Sequence, residues 1–240
     1  MMVGALLLAG GSGSRMRGET GDKLLHPIGS TNAFSLGIQA FLQAEGVEKF
    51  VIVYKDETQL SLLKANLDQQ QKSQRQLREP DIYWAQGGNE RQDSVWAGLQ
   101  ALPVEITHVL VHDCARPFIR PQTIELAASE VSKDRAITVA RPLKDTLRFR
   151  EDQSENALIP SPSRTLDRSR HWLMETPQGA PRAWLEEGLS MARSQKILLT
   201  DDMAAVELAG HPVGMLDPGY PNPKITTPDD FAYAEFLLKS

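Results

Sequence analysis

Leu6-Leu7-Leu8-Ala9-Gly10-Gly11-Ser12-Gly13-Ser14-Arg15-Met16 carries an apolar run directly into three glycines and a cation. A run that is apolar without alternation reads as a strand covered on both faces, as in a mostly parallel sheet. A glycine-rich loop at the end of such a strand lies where ligands bind in open α/β sheets. Glycines let the backbone approach a phosphate and turn N–H groups toward it, and a following helix N-terminus adds positive potential. Arg15 supplies a permanent charge with a forked donor set. Two familiar loops fail on register. A dinucleotide fingerprint starting at Gly11 needs glycine where Met16 stands, and a Walker loop from Gly13 to Gly18 meets Glu19-Thr20 where Lys-Ser/Thr is required.

Outward from this strand, further β-rich runs recur at Phe50–Tyr54, Ile82–Ala85, His108–His112 and Ala136–Ala140, with helical patterns over 33–45, 57–70, 91–102 and 121–133 between them. That alternation predicts an α/β, Rossmann-like fold with a mostly parallel sheet and helices on both faces. Later helices are expected over 181–193, 201–209 and 228–238. Residues 141–170 break the pattern. Lys144–Arg150 alternates like a half-exposed strand, a polar turn follows at Glu151–Glu155, and Ala157-Leu158-Ile159 is expected to return as its partner. A two-stranded arm alone is marginal in water, so it is expected to pack on something, with a second subunit as the candidate, within one domain spanning 1–240. The Gln-rich stretch Asp68–Arg78 reads as a solvated helix end and loop.

Composition limits the remaining classes. The 240 residues carry 26 Lys+Arg against 31 Asp+Glu, a net charge of −5, which argues against wholesale nucleic-acid binding. The single cysteine, Cys114, excludes an intramolecular disulfide framework and fits a reducing cytoplasm. The longest apolar run, Val3–Ala9, falls far short of the roughly 20 residues of a membrane helix.

The pattern Gly10-Gly11-Ser12-Gly13-Ser14-Arg15-Met16, with Lys23 following in Asp22-Lys23-Leu24-Leu25, resembles nucleotidyltransferases that activate sugar and alditol phosphates. Three later blocks narrow it: Gly87-Gly88-Asn89-Glu90-Arg91-Gln92-Asp93-Ser94, Val109-Leu110-Val111-His112-Asp113-Cys114-Ala115-Arg116-Pro117, and Thr165-Leu166-Asp167-Arg168 followed by Thr176-Pro177-Gln178. Together with Asn222-Pro223-Lys224-Ile225-Thr226-Thr227-Pro228 they resemble the 2-C-methyl-D-erythritol 4-phosphate cytidylyltransferase family over nearly the whole chain.

That resemblance implies attack of an acceptor phosphate oxygen on the α-phosphorus of CTP, with release of pyrophosphate. It implies catalytic roles for Arg15, Lys23, Arg168 and Lys224, the first two stabilising charge on the α-phosphate. It assigns the nucleotide to Ala9, Gly10, Gly11, Gly13, Gly87, Gly88, Asn89, Ser94, Asp113 and Arg116. It assigns the acceptor to Thr146, Arg168, Thr176, Thr200 and Lys224, and Mg²⁺ to Asp113. Arg168, beyond the arm, implies a homodimer in which one protomer completes its neighbour's site. Cys114 is read as a small buried side chain, since no step needs a nucleophilic thiol. Asn89 replaces a common aspartate, and Ala9-Gly10-Gly11 with Lys224-Ile225-Thr226-Thr227-Pro228 is also similar to ribitol 5-phosphate cytidylyltransferase. Lys144-Asp145-Thr146 and Thr165-Leu166-Asp167-Arg168 fit the methylerythritol family better. A noncatalytic nucleotide-binding protein of the same fold is the remaining alternative.

Overall fold

The computed structural model describes residues 1–10, 22–73, 81–151 and 162–239. Its strands are β1 (Val3–Leu8), β2 (Pro27–Ile28), β3 (Thr31–Asn32), β4 (Lys49–Tyr54), β5 (Asp81–Gln86), β6 (His108–Asp113), β7 (Ala136–Pro142), β8 (Arg148–Arg150), β9 (Ser163–Thr165), β10 (Trp172–Pro181) and β11 (Val213–Leu216). Its helices are α1 (Ala33–Gln43), α2 (Glu57–Ser73), α3 (Arg91–Ala101), α4 (Pro121–Val131), α5 (Arg182–Gln195), α6 (Asp202–Leu208) and α7 (Asp229–Lys239).

Seven strands form one sheet in the order β11-β7-β10-β6-β1-β4-β5. All pairings are parallel except those of β10, which runs antiparallel to both β6 and β7. The unalternating apolar runs are explained by burial on both sides. Ala5 and Leu7 of β1, Phe50 and Ile52 of β4, and Leu110 of β6 join α1, α2, α4 and α7 in one core. Leu6, Leu8, Val51, Val53, Val109 and Val111 join α3, α5 and α6 in the other.

Chain order creates the site. From β1 the chain moves outward through β4 and β5, then returns to place β6 on the opposite side of β1. The strand order therefore reverses between β1 and β6, and a crevice opens beyond their carboxyl ends, the usual ligand position in such sheets. Leu8 and Asp113 are register partners there.

Within 141–170 the described residues form a short antiparallel pair. β8 pairs antiparallel with β9, Arg148 opposite Thr165; Ala157-Leu158-Ile159, the expected return strand, lie outside the described residues. Arg148 spans the pair, donating to Thr165 Oγ1 at 3.2 Å and Ser163 Oγ at 2.8 Å. The sheet also contains β10 and β11, neither of which was expected from sequence. No described helix is long and apolar enough to cross a membrane.

Candidate active site

The crevice is a cleft of about 590 Å³, within the range of small-molecule sites. Ala9 and Gly10 continue β1 into it, both N–H groups donating to Val53 O at 2.8 Å. Gln59, on α2, holds the next segment by donating to Ala9 O at 3.1 Å and to Asp22 Oδ2 at 2.5 Å, so Lys23 follows at the cleft wall. Gly11, Gly13 and Arg15 lie outside the described residues.

The opposite wall is the turn from β5 into α3. Gly87 N–H donates to Tyr54 O, and Gly88 N–H to Ser94 Oγ at 3.2 Å. A Cβ on Gly87 would stand 2.7 Å from Ser94 Oγ, and one on Gly88 2.4 Å from Asp93 Cβ. Glycine is therefore required for the first turn of α3 to fold back on this loop. Asn89 and Glu90 follow at the rim, and Glu90 with Asp93 forms a reciprocal capping box.

At the floor stands Asp113, 6% exposed at the end of β6. Its Oδ1 accepts from Arg91 Nη1 at 2.5 Å and its Oδ2 from Lys224 Nζ at 2.7 Å, with Arg116 Nε 3.9 Å away. Burial opposes the charge of this carboxylate, but Arg91 and Lys224 together outweigh it and hold its pKa well below the usual range. Arg91 also forks onto Asp202 at the start of α6, Nε to Oδ1 at 3.2 Å and Nη2 to Oδ2 at 2.6 Å. Burial pulls on Arg91 as well, yet the two carboxylates keep it firmly protonated. The sequence block Gly87–Ser94 contained Arg91 without giving it a role, and nothing local linked it to Asp202, 111 residues away.

Beneath Asp113 a buried relay fixes the strand end. Thr176 Oγ1 accepts from Asp113 N–H at 3.1 Å and donates to His112 Nδ1 at 3.0 Å, while His112 Nε2 donates to Arg116 O at 3.2 Å. His112 is fully buried, and burial pushes its pKa down to about 4, so the ring is neutral. Thr176, expected at the acceptor, thus faces the interior and not the cleft. Arg116, expected at the nucleotide, likewise turns inward, donating to Asn222 O at 2.9 Å and Met174 O at 3.3 Å. Asn222 Oδ1 accepts from Phe118 N–H, and these bonds dock the segment that carries Lys224. Cys114 is buried beside the floor, where burial raises its thiol pKa and keeps it protonated.

Ala9, Gly10, Lys23, Gly87, Gly88, Asn89, Ser94, Asp113 and Lys224 converge on this one cleft, joined by Lys55, Gln86, Glu90, Arg91 and Thr226. Thr146, Arg168 and Thr200 do not line it. Thr146 and Arg168 sit at the base of the arm, exposed, with Arg168 Nη1 donating to Lys144 O at 2.5 Å. Thr200 is exposed just before Asp201, which caps α6 by accepting from Ala204 N–H.

The family model for 2-C-methyl-D-erythritol 4-phosphate cytidylyltransferase matches residues 3–240. The chain belongs to this family. A family member from Gloeobacter violaceus is 37% identical over 98% of this chain and 95% of its own, and one from Synechococcus sp. (strain WH7803) is 33% identical over 97% of each. Among solved structures, the 4-diphosphocytidyl-2C-methyl-D-erythritol synthase of Anaerococcus prevotii superposes with a TM-score of 0.83 at 20% identity, covering 100% of this chain and 96% of that one. The Thermus thermophilus cytidylyltransferase gives 0.71 at 24% identity, with 100% of both chains covered. These two likenesses bear on the fold, which is that of the family's solved members.

Among the described residues no group of three or more His, Cys, Asp or Glu converges on a metal site. The cleft offers one carboxylate at its floor. That donor set suits Mg²⁺ carried largely by phosphates and water, which commonly takes only one or two protein carboxylates, and does not suit an all-protein cage. Each Asp113 oxygen accepts one hydrogen bond and keeps a second acceptor direction, so the carboxylate can serve as a ligand with Arg91 and Lys224 in place.

Proposed function

We propose that the protein transfers the cytidylyl group of CTP to 2-C-methyl-D-erythritol 4-phosphate, giving 4-diphosphocytidyl-2-C-methyl-D-erythritol and pyrophosphate. Membership of the family over residues 3–240 carries this reading, and the cleft supplies its chemistry. An acceptor phosphate oxygen forms a bond to the α-phosphorus while the bond to the bridging oxygen of pyrophosphate breaks. Negative charge gathers on the α-phosphate oxygens, so the reaction needs cations placed before it starts. Lys23 on one wall and Lys224 at the floor are such cations, and Arg15 joins them in this proposal. Gly87, Gly88, Asn89 and Ser94 form the loop that would hold cytosine and ribose, through backbone groups and short polar side chains.

Mg²⁺ bound to the triphosphate would neutralise part of its charge and polarise the α-phosphate, with Asp113 as its single protein ligand. Arg116 and Thr176 act from behind the floor, keeping Asp113 and the Lys224 segment in place. Arg168 and Thr146 serve a neighbouring protomer in this scheme, the β8–β9 arm carrying them across a homodimer. The exposure of Phe149 and Leu147 on that arm supports its packing against a partner.

Pyrophosphate release by purified protein tests the reading, using CTP alone, CTP with 2-C-methyl-D-erythritol 4-phosphate, and CTP with ribitol 5-phosphate, each with Mg²⁺. Release only in the second mixture is expected. Turnover with ribitol 5-phosphate alone overturns the acceptor, and CTP binding without release in any mixture overturns catalysis.

A further inference from the structure

Asp202 opens α6 with its side chain 2% exposed, outside the lining of the cleft. It is anchored from below: its N–H donates to Gln178 Oε1 at 2.9 Å, and Gln178 Nε2 donates to Thr138 Oγ1 and Asp201 Oδ2. Both carboxylate oxygens meet Arg91, one at Nε and one at Nη2, and this forked pairing fixes the plane of the guanidinium.

With that plane fixed, the remaining nitrogen, Nη1, is aimed at Asp113 Oδ1, and Asp113 Oδ2 meets Lys224. A tie between α3 and α6 alone would need only the Arg91–Asp202 pair. Here the same guanidinium is shared with a carboxylate at the cleft floor, so alternating charges run from α6 through α3 and β6 to the 222–226 segment.

Resting on the cytidylyltransferase reading, we propose that Asp202 is a positioning residue: it orients Arg91, which sets Asp113, which holds Lys224 at the transfer site. Asp202 touches no substrate, and its effect is on geometry where a small misplacement is costly.

The test compares Asp202→Asn, Arg91→Gln and the double variant with the wild-type protein. It measures kcat by pyrophosphate release, Kd for CTP by calorimetry, and Tm. Asp202→Asn is expected to lower kcat about 10- to 100-fold while changing the Kd for CTP little. Arg91→Gln leaves buried Asp202 without its partner, so the double variant is expected to regain Tm relative to Arg91→Gln but not the kcat. Recovery of both in the double variant, or wild-type kcat in Asp202→Asn, overturns the proposal, because the pair would then be only a structural tie. If the neutral variants do not fold, Arg91→Lys decides: it keeps the charge without the fork, and wild-type kcat there refutes positioning. A wild-type protein without turnover refutes the cytidylyltransferase reading and this proposal with it.

Discussion

Replacing His112 with Gln should flatten the acid side of the stability profile. In the folded protein the ring is sealed between Phe41, at 5.0 Å, and the Thr176 hydroxyl, with its Nε2–H bonded to Arg116 O. Burial lowers its pKa from the ordinary 6.5 to about 4, so in that window the unfolded chain binds a proton that the folded one refuses. Stability therefore rises with pH across the window, and is lost as pH falls from 6.5 toward 4. At about 1.4 kcal/mol per pKa unit the loss comes to about 3 kcal/mol, or roughly 6–12 °C in Tm for a chain of this size. Asp113, with its pKa lowered, keeps its contribution above its unfolded value and loses it only in stronger acid. Denaturant unfolding of wild type and His112→Gln at pH 7, 5.5 and 4 isolates the effect, since other titrating groups cancel in the difference. The wild type should lose about 3 kcal/mol more than the variant between pH 7 and pH 4. A pH-independent difference would show that the ring is not held neutral and would refute the buried relay.

Lys23→Ala should lower kcat by about 10²-fold or more with Tm nearly unchanged, as expected for a cation that acts on charge in the transition state, whereas Lys224→Ala should lower kcat similarly and also lower Tm, because it takes a partner from buried Asp113. Steady-state kinetics beside thermal melts would detect the opposite pattern. Gly188→Ala should destabilise strongly, because the added Cβ would lie 1.8 Å from Ala205 O and force α5 away from α6. A cost above about 3 kcal/mol is expected in denaturant unfolding, since the obstacle is backbone. Replacing residues 145–166 with a short Gly-Ser linker should yield a monomer by light scattering and abolish turnover, if the arm completes a neighbour's site.

The most readable parts of the sequence were those where burial is uniform. β1, β4 and β6 are apolar on both faces, and the core on each side of the sheet explains that composition without further information. The Gly-rich end of β5 was legible for a related reason, since a Cβ on Gly87 or Gly88 would press into the first turn of α3. β10 was hidden because Glu175, Thr176 and Gln178 look unsuited to a central strand. They are tolerated there through bonds to Arg141, His112, Asp113 N–H and Thr138, made by distant parts of the chain. The same distance concealed the Arg91–Asp202 fork and turned Arg116 and Thr176 from expected substrate contacts into supports behind the site. Alternation in Lys144–Arg150 pointed to a hairpin, but alternation alone does not set register, and the pairing of Arg148 with Thr165 was not legible from it.

The central claim concerns the bond that is made. Purified protein mixed with equimolar CTP, 2-C-methyl-D-erythritol 4-phosphate and excess Mg²⁺, followed by ³¹P NMR and mass spectrometry, reads that bond directly. The account predicts one equivalent of pyrophosphate and a coupled diphosphate doublet whose mass joins CMP to the intact acceptor phosphate. Formation of free CMP with the acceptor unchanged, or no consumption of CTP, would contradict it.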